Sequence, residues 1–294
     1  MPEMPEIQAH AERLSDQFVG RTLARFQPLN FTALKTAVPP PDAAYGATLQ
    51  SIGRRGKYLL LHFEPLTMVV HLMQGGRLLP DTKRSKKPRG GQARIEWEPL
   101  ELPDGSIDET ALLLTEQGTE RRAGIWCVAP GDIDTQPPLA PLGPEACDAS
   151  AAELADRFAD RSMRIHGFLR DQRCVAGIGR RLANEVCWQA RISPFATTKS
   201  LGADGAARVV DAIAVCVEDG LAYERSRSDM SASKDRLSNV HGRTGDPCPR
   251  GEAGEHEPDT IRSVEYSGYT VNYCPRCQTG GKILADNTTS KFLK

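Results

Sequence analysis

Hydrophobic positions along this chain pass through three regimes. Behind the opening MPEMPEI, Ile7, Ala11, Leu14 and Phe18 recur at helical spacing. Pro5 suits the first turn of such a helix, and Glu6 suits the positive end of its dipole. The pattern predicts a first helix that starts a few residues in and leaves residues 1–4 free. Short β-rich runs follow: YLLLHF at 58–63, MVVHL at 68–72, ARIEWE at 93–98, ALLLTEQ at 111–117 and GIWCVAP at 124–130. Gly, Pro and charged turns separate them, which predicts an antiparallel sandwich or barrel. TQPPLAPLGPEA at 135–146 reads as a semi-rigid linker. Helical periodicity then returns at about 149–160, 163–173, 180–191 and 203–220. Residues 221–247 are polar, carry no apolar stripe and are expected to be mobile. No internal repeat is visible.

At 294 residues the chain is long enough for two modest domains and an appendage. No run of about 18 apolar residues offers a membrane span, and the acidic, polar start lacks the pattern of a secretion signal. A cytoplasmic protein without a membrane partner is expected, nucleoid-associated in a bacterium. The net charge of −1 argues on its own against a nucleic-acid partner. It averages over strong asymmetry, however. RRGK at 54–57, KRSKKPRGGQAR at 83–94 and RSMRIHGFLRDQR at 161–173 are basic, whereas EWEPLELPDGSIDE at 96–109 and GEAGEHEPD at 251–259 are acidic. Any one basic run reads as a solvated loop; three together suffice to line a groove.

Five of the eight cysteines, Cys127, Cys147, Cys174, Cys187 and Cys216, are scattered singly and read as small packed thiols. Cys248, Cys274 and Cys277 cluster. YCPRC at 273–277 is a C-x2-C knuckle, which in a reducing compartment favours zinc over a disulfide. At the place of a second knuckle the chain reads CPRG and has Gly251, so the fourth ligand of a tetrahedral site comes from elsewhere. His256 is the first candidate, with His241, or no metal at all, as the alternatives.

Two further stretches carry chemistry. In VAGIGRRLANEVCWQA, Gly177 and Gly179 precede a helix, so free N–H groups and the side chains of Arg180 and Arg181 gather at its start. Such a turn suits a phosphate, and equally an ordinary helix connection. At the N-terminus, a methionine followed by a small residue such as proline is commonly removed, exposing the secondary amine of Pro2. An α-amino group titrates well below lysine, so near neutrality it is the better nucleophile, with Glu3 and Glu6 at hand for acid/base work. The plainer alternative is a frayed helix start.

Taken in order, these pieces resemble the formamidopyrimidine-DNA glycosylase / endonuclease VIII family over nearly the whole chain. PEMPEI is similar to that family's P-E-L-P-E-V start, RRGKYLLL to its lysine-bearing strand, and VVHLMQGGRL to its H-L-G-M-S-G loop. TERRAG stands for D-P-R-R-F-G, LGPEA for the interdomain linker, DQRCVAGIGRRLANE for the helix–two-turn–helix, and VHGRTGDPC with YCPRCQ for the finger. The resemblance implies an α+β multidomain fold. Residues 1–131 form a two-layer antiparallel β-sandwich with flanking helices and 132–148 the linker. Residues 149–245 form a helix–two-turn–helix domain, and 246–294 a β-hairpin zinc finger with a tail.

It further implies a monomeric, bifunctional DNA glycosylase and abasic-site lyase of base-excision repair. Pro2 is then the Schiff-base nucleophile, Glu3 the acid that opens the sugar, Glu6 a supporting carboxylate and Lys57 a phosphate-holding catalytic lysine. His71, Met73, Gln74, Arg121, Arg122, Gly177, Gly179, Arg180 and Tyr269 fall where the family meets damaged DNA. One structural zinc ion is held by Cys248, His256, Cys274 and Cys277.

Four positions depart from the family pattern. The void-filling methionine position is Gln74, with Met73 one residue away. The aromatic wedge position is Ala123, and the phosphate-binding asparagine of the glycine turn is Arg180. The finger-tip arginine is Tyr269, which weakens that phosphate contact or moves it to Lys282 or to an arginine in 222–227. The reduced wedge favours oxidised pyrimidines, single-strand-like substrates or bulky adducts over purine lesions. A second reading, a zinc-finger protein that binds damaged DNA with weak or no excision, predicts that Pro2 and Glu3 are dispensable. A third makes the finger a protein–protein module.

Overall fold

A computed structural model of the chain describes residues 1–117, 120–131, 133–229, 235–266 and 268–285. These fall into two compact units, Met1–Leu142 with Arg227–Ser231, and Gly143–Ser226 with Ala232–Lys294. Residues 230–234 of the expected mobile segment and the tail beyond 285 lie outside the described residues.

In the first unit, helix α1 (Met4–Phe18) is followed by ten strands. One sheet has the order β1 (Leu23–Pro28), β6 (Gly91–Trp97), β9 (Ala111–Glu116), β5 (Gly76–Asp81). The other has the order β10 (Gly124–Val128), β4 (Thr67–His71), β3 (Tyr58–His62), β2 (Ser51–Arg55). Every pairing is antiparallel. A short ribbon, β7 (Leu100–Glu101) with β8 (Ile107–Asp108), stands apart.

Alternation builds the layers. Leu59 and Leu61 of β3 and Met68 and Val70 of β4 join Phe26, Leu78, Ile95, Leu112 and Leu114 of the other sheet in one core, closed by Ile7, Leu14 and Phe18 of α1. The intervening Leu60 and Val69 pack on the opposite face with Val128 and Leu139. The central sheet is therefore apolar on both sides, which is why YLLLHF and MVVHL read as continuous runs.

The expectation that residues 1–4 stand free is corrected here. Glu3 is the N-cap of α1, and both Glu3 and Met4 are buried. Met4 fills the core in the place that a free terminus would have left to solvent.

In the second unit, α2 (Ala151–Asp160) opens on a capping box. Ser150 Oγ accepts the Glu153 N–H at 3.2 Å, and Glu153 Oε2 accepts the Ser150 N–H at 2.9 Å. Helix α3 is shorter than its periodicity predicts, Ile165–Arg170, and α4 spans Arg180–Gln189. Helix α5 is longer, Thr198–Arg225, because Gly202 at φ 57° joins two helical pieces across a kink. Two short helices, α6 (Pro249–Glu252) and α7 (Pro275–Thr279), flank a hairpin of β11 (Arg262–Tyr266) and β12 (Tyr269–Tyr273).

The described part of 221–247 is more ordered than its composition suggests. Glu185 of α4 accepts the N–H groups of Asn239, Val240 and His241 at 2.8–3.0 Å, and Val240 is fully buried. One carboxylate thus satisfies three consecutive donors, which an apolar pattern cannot announce.

Candidate active site and metal centre

The N-terminal site is assembled from α1 and the turn between β2 and β3. The Glu3 N–H donates to Glu6 Oε2 at 2.9 Å, and the Glu3 carbonyl accepts the Ile7 N–H at 3.0 Å. Both carboxylates are buried, so Pro2, half-buried, leads straight into a fixed helix start. Helix α1 lies against β2 and β3. Arg54 ties them: its Nε donates to Gln8 Oε1 at 3.2 Å and its Nη1 to the Gly56 carbonyl at 3.1 Å. Gly56, at φ 57°, is the turn that sets Lys57 at the head of β3, where the lysine is 7% exposed.

His71 ends β4 opposite Tyr58, with ring centroids 4.5 Å apart. Burial, reinforced by the Lys57 ammonium, pulls its imidazole down to about 4, so it is neutral at pH 7. In that form Nδ1 accepts the Met73 N–H at 3.2 Å. Burial likewise raises the Tyr58 phenol. Met73, at φ 51°, packs against the hydrophobic core, whereas Gln74 is exposed. Of the two candidate void-fillers, Gln74 faces solvent.

Arg121 and Arg122 are exposed, and Arg122 Nε meets Glu120 Oε2 at 3.2 Å. Ala123 is completely buried in the sandwich core, with its N–H donating to Glu116 Oε2. The position is thus occupied by core packing.

The basic runs are partly neutralised from within. Arg94 is buried against Asp81 at 2.9 Å, and Arg84 reaches Glu96 at 3.2 Å and Glu109 at 3.6 Å. Arg161 and Arg173 both reach Asp171, at 3.8 and 2.8 Å.

The glycine turn before α4 is held by one amide. Gln172 Oε1 accepts the Gly177 N–H at 3.0 Å, while its Nε2 donates to the carbonyls of Arg170 and Ile178 at 3.0 and 2.8 Å. Gly177 sits at φ 101° and Gly179 caps α4, leaving Arg180 exposed in its first turn. Tyr269 opens β12, and the Arg170 guanidinium carbon lies 3.3 Å from its ring centroid. Sequence reading missed this pairing of Arg170, which showed only as one charge in the basic run 161–173.

In the finger, Cys248, His256, Cys274 and Cys277 bring their ligand atoms within 4.8 Å of one another. Tetrahedral zinc with thiolate bonds of about 2.3 Å places its ligands about 3.8 Å apart, a separation that lies within this span. His256 Nδ1–H donates to the Glu257 carbonyl at 2.6 Å, which turns Nε2 toward the Cys277 sulfur 3.1 Å away. That arrangement fixes the tautomer a metal ligand needs. Gly251 explains why the missing knuckle cysteine is no loss: a Cβ there would lie 3.0 Å from His256 Cε1, so glycine makes room for the imidazole. His241, the rival ligand, is engaged elsewhere, with Asn184 Nδ2 donating to its Nδ1 at 2.9 Å. Arg250 ties the finger to α4, donating to the Trp188 carbonyl at 2.8 Å and stacking on its ring.

Comparison with known proteins accords with this geometry. Residues 1–115 match the formamidopyrimidine-DNA glycosylase N-terminal domain, and residues 142–232 the formamidopyrimidine-DNA glycosylase H2TH domain. A formamidopyrimidine-DNA glycosylase of Chloroflexus aurantiacus is 30% identical over 95% of this chain and 98% of its own length. An uncharacterised formamidopyrimidine-DNA glycosylase-like protein of Mycobacterium tuberculosis is 37% identical over 52% of this chain and 94% of its own. The Lactococcus lactis formamidopyrimidine-DNA glycosylase bound to abasic-site DNA shares the fold, with a TM-score of 0.78 at 21% identity, over 94% of this chain and 99% of that one. This chain belongs to the formamidopyrimidine-DNA glycosylase family, a family of DNA-repair enzymes.

Proposed function

We propose that the protein is a bifunctional DNA glycosylase and abasic-site lyase of base-excision repair whose nucleophile is the Pro2 amine. The observation that carries this reading is the start of α1, where Pro2 precedes two buried glutamates, the Glu3 main-chain N–H donating to the Glu6 carboxylate. The relatives' names and the two matched domains support it. In this reading the freed secondary amine attacks C1′ of an everted nucleotide, and the damaged base departs with a proton. Glu3 protonates the sugar ring oxygen as the C1′–O4′ bond opens, giving an iminium. Loss of a C2′ proton then expels the 3′ phosphate, and a second elimination expels the 5′ phosphate. Lys57 holds a phosphate beside this centre. The neutral His71 next to it adds no positive charge and offers a polar wall.

Residues 1–131 carry this chemistry in our reading. The linker 132–148 leads to the DNA-binding helices of 149–245, and 246–294 supplies a finger held by one zinc ion on Cys248, His256, Cys274 and Cys277. The zinc keeps the hairpin folded and takes no part in bond breaking. Gln74, Arg121 and Arg122 are the side chains offered to the space left by the everted base, with Met73 as their packed support. The small, buried Ala123 supports oxidised pyrimidines as the preferred lesions.

Cleavage of oligonucleotides that carry single lesions tests this function. The wild-type protein, with Met1 removed, nicks abasic-site DNA and excises oxidised pyrimidines faster than 8-oxoguanine, and acetylation of the Pro2 nitrogen and Glu3→Gln abolish the nick. Excision that survives acetylation of the Pro2 nitrogen contradicts the proposal.

A further inference from the structure

Arg164 and Arg170 bracket α3, and both lay their guanidinium groups on rings from other elements. Arg170 Cζ is 3.3 Å from the centroid of Tyr269, a separation that only face-on stacking permits. Arg164 Cζ is 3.9 Å from Phe195 and 4.2 Å from Tyr266. Their surroundings differ from those of the neighbouring arginines. Arg161 and Arg173 reach Asp171, Arg191 and Arg250 reach Glu255, Arg243 reaches Asp246 and Arg276 reaches Glu257. Arg170 meets no carboxylate among the described residues, and its guanidinium makes no hydrogen bond among them.

A half-buried cation with five unused donors is an incomplete site. The ring face offsets part of its desolvation and fixes the plane of the fork, leaving the N–H edge for a partner. A planar fork held flat in this way matches the two oxygens of a phosphodiester. Its placement adds the second argument. The Arg170 carbonyl accepts from the same Gln172 amide that holds Gly177 and Ile178, so the fork and the glycine turn before Arg180 are parts of one rigid piece. We propose that Arg170, held on the face of Tyr269, clamps a DNA backbone phosphate beside the Gly177–Arg180 turn. Tyr269 acts through its ring and not through its hydroxyl. The inference rests on the DNA-repair reading given above.

The test is the salt dependence of binding to duplex DNA carrying a tetrahydrofuran abasic analogue, with zinc content and melting temperature followed in every variant. Arg170→Ala weakens binding about tenfold at moderate salt and makes the slope of log K against log salt shallower by about 0.9. Arg170→Lys keeps the slope and loses affinity, because a point charge replaces a fork. Tyr269→Phe binds as wild type, whereas Tyr269→Leu loses several-fold. Arg170→Gln provides the uncharged variant should the alanine protein fail to fold. Unchanged affinity and slope in a folded, uncharged variant overturn the inference, as does a loss in Tyr269→Phe equal to that in Arg170→Ala. A wild-type protein that does not bind the duplex overturns the DNA-repair reading itself, and the clamp with it.

Discussion

Glu6 accepts a hydrogen bond from the main-chain N–H of Glu3 at 2.9 Å, inside the protein, one residue beyond Pro2. The same side chain that starts α1 therefore sets the direction in which the N-terminus leaves it. Glu6→Ala removes this acceptor and lowers stability by about 1 kcal/mol, the usual worth of a helix cap. Glu6→Gln keeps an oxygen for the Glu3 N–H and retains most of the stability. Thermal unfolding separates the two, and abasic-site cleavage falls more in Glu6→Ala than its melting temperature explains.

The Cys248, His256, Cys274 and Cys277 cluster is expected to bind one zinc ion per chain. His256→Ala and Cys277→Ser lower the zinc content measured by atomic emission, and the hairpin loses protection from hydrogen exchange. Gly251→Ala does the same to a smaller degree, since its Cβ pushes on the His256 ring. His241→Ala leaves the zinc stoichiometric, because that imidazole is bound to Asn184. Loss of zinc in His241→Ala with retention in His256→Ala would reverse the assignment.

The strands with two apolar faces were legible in the sequence because burial on both sides leaves no polar interruption, as in β3 and β4. Strands β1, β2 and β5 were not. Gln27 and Pro28, Arg54 and Arg55, and Pro80 and Asp81 break their patterns, and each is accommodated at a strand end or by a specific partner. The Cys3His cluster was readable from the knuckle spacing and the position of His256 after Cys248. What placed His256 there, the space over Gly251, needed coordinates. The sequence showed Arg170 only as one charge in the basic run 161–173; its pairing with Tyr269 was invisible because that ring lies far along the chain and stacking leaves no local spacing to detect.

Stability depends on pH through buried histidines. Burial lowers His10, His71 and His241 to about 4 and His166 to about 3, against 6.5 in the unfolded chain. Between these values the unfolded state binds more protons. Their contribution is complete above about pH 6.5 and is lost as the pH falls through 4. Each costs up to about 1.4 kcal/mol per pH unit within that window. Chemical denaturation at pH 7.5, 6 and 5 should show this decline, and NMR of the imidazoles should find no titration of His71 above pH 5. A His71 midpoint near 6.5 contradicts the buried, neutral site.

Arg94 and Asp81 form an ion pair within the sandwich, with Arg94 Nη1 also donating to Gln27 Oε1 at 3.3 Å and Nη2 to the Ser85 carbonyl at 2.6 Å. Asp81→Ala leaves a buried guanidinium short of its counter-ion and costs about 3–5 kcal/mol in urea denaturation. A change below 1 kcal/mol would show that Arg94 reaches solvent once its partner is gone.

The most direct test of the account is borohydride reduction of the protein on abasic-site DNA, followed by peptide mass spectrometry of the adduct. A single covalent link to the nitrogen of Pro2 in the Met1-processed protein, absent when that terminal nitrogen is acetylated, is the predicted result. A link to a lysine, or no adduct from a protein that nicks the DNA, would contradict it.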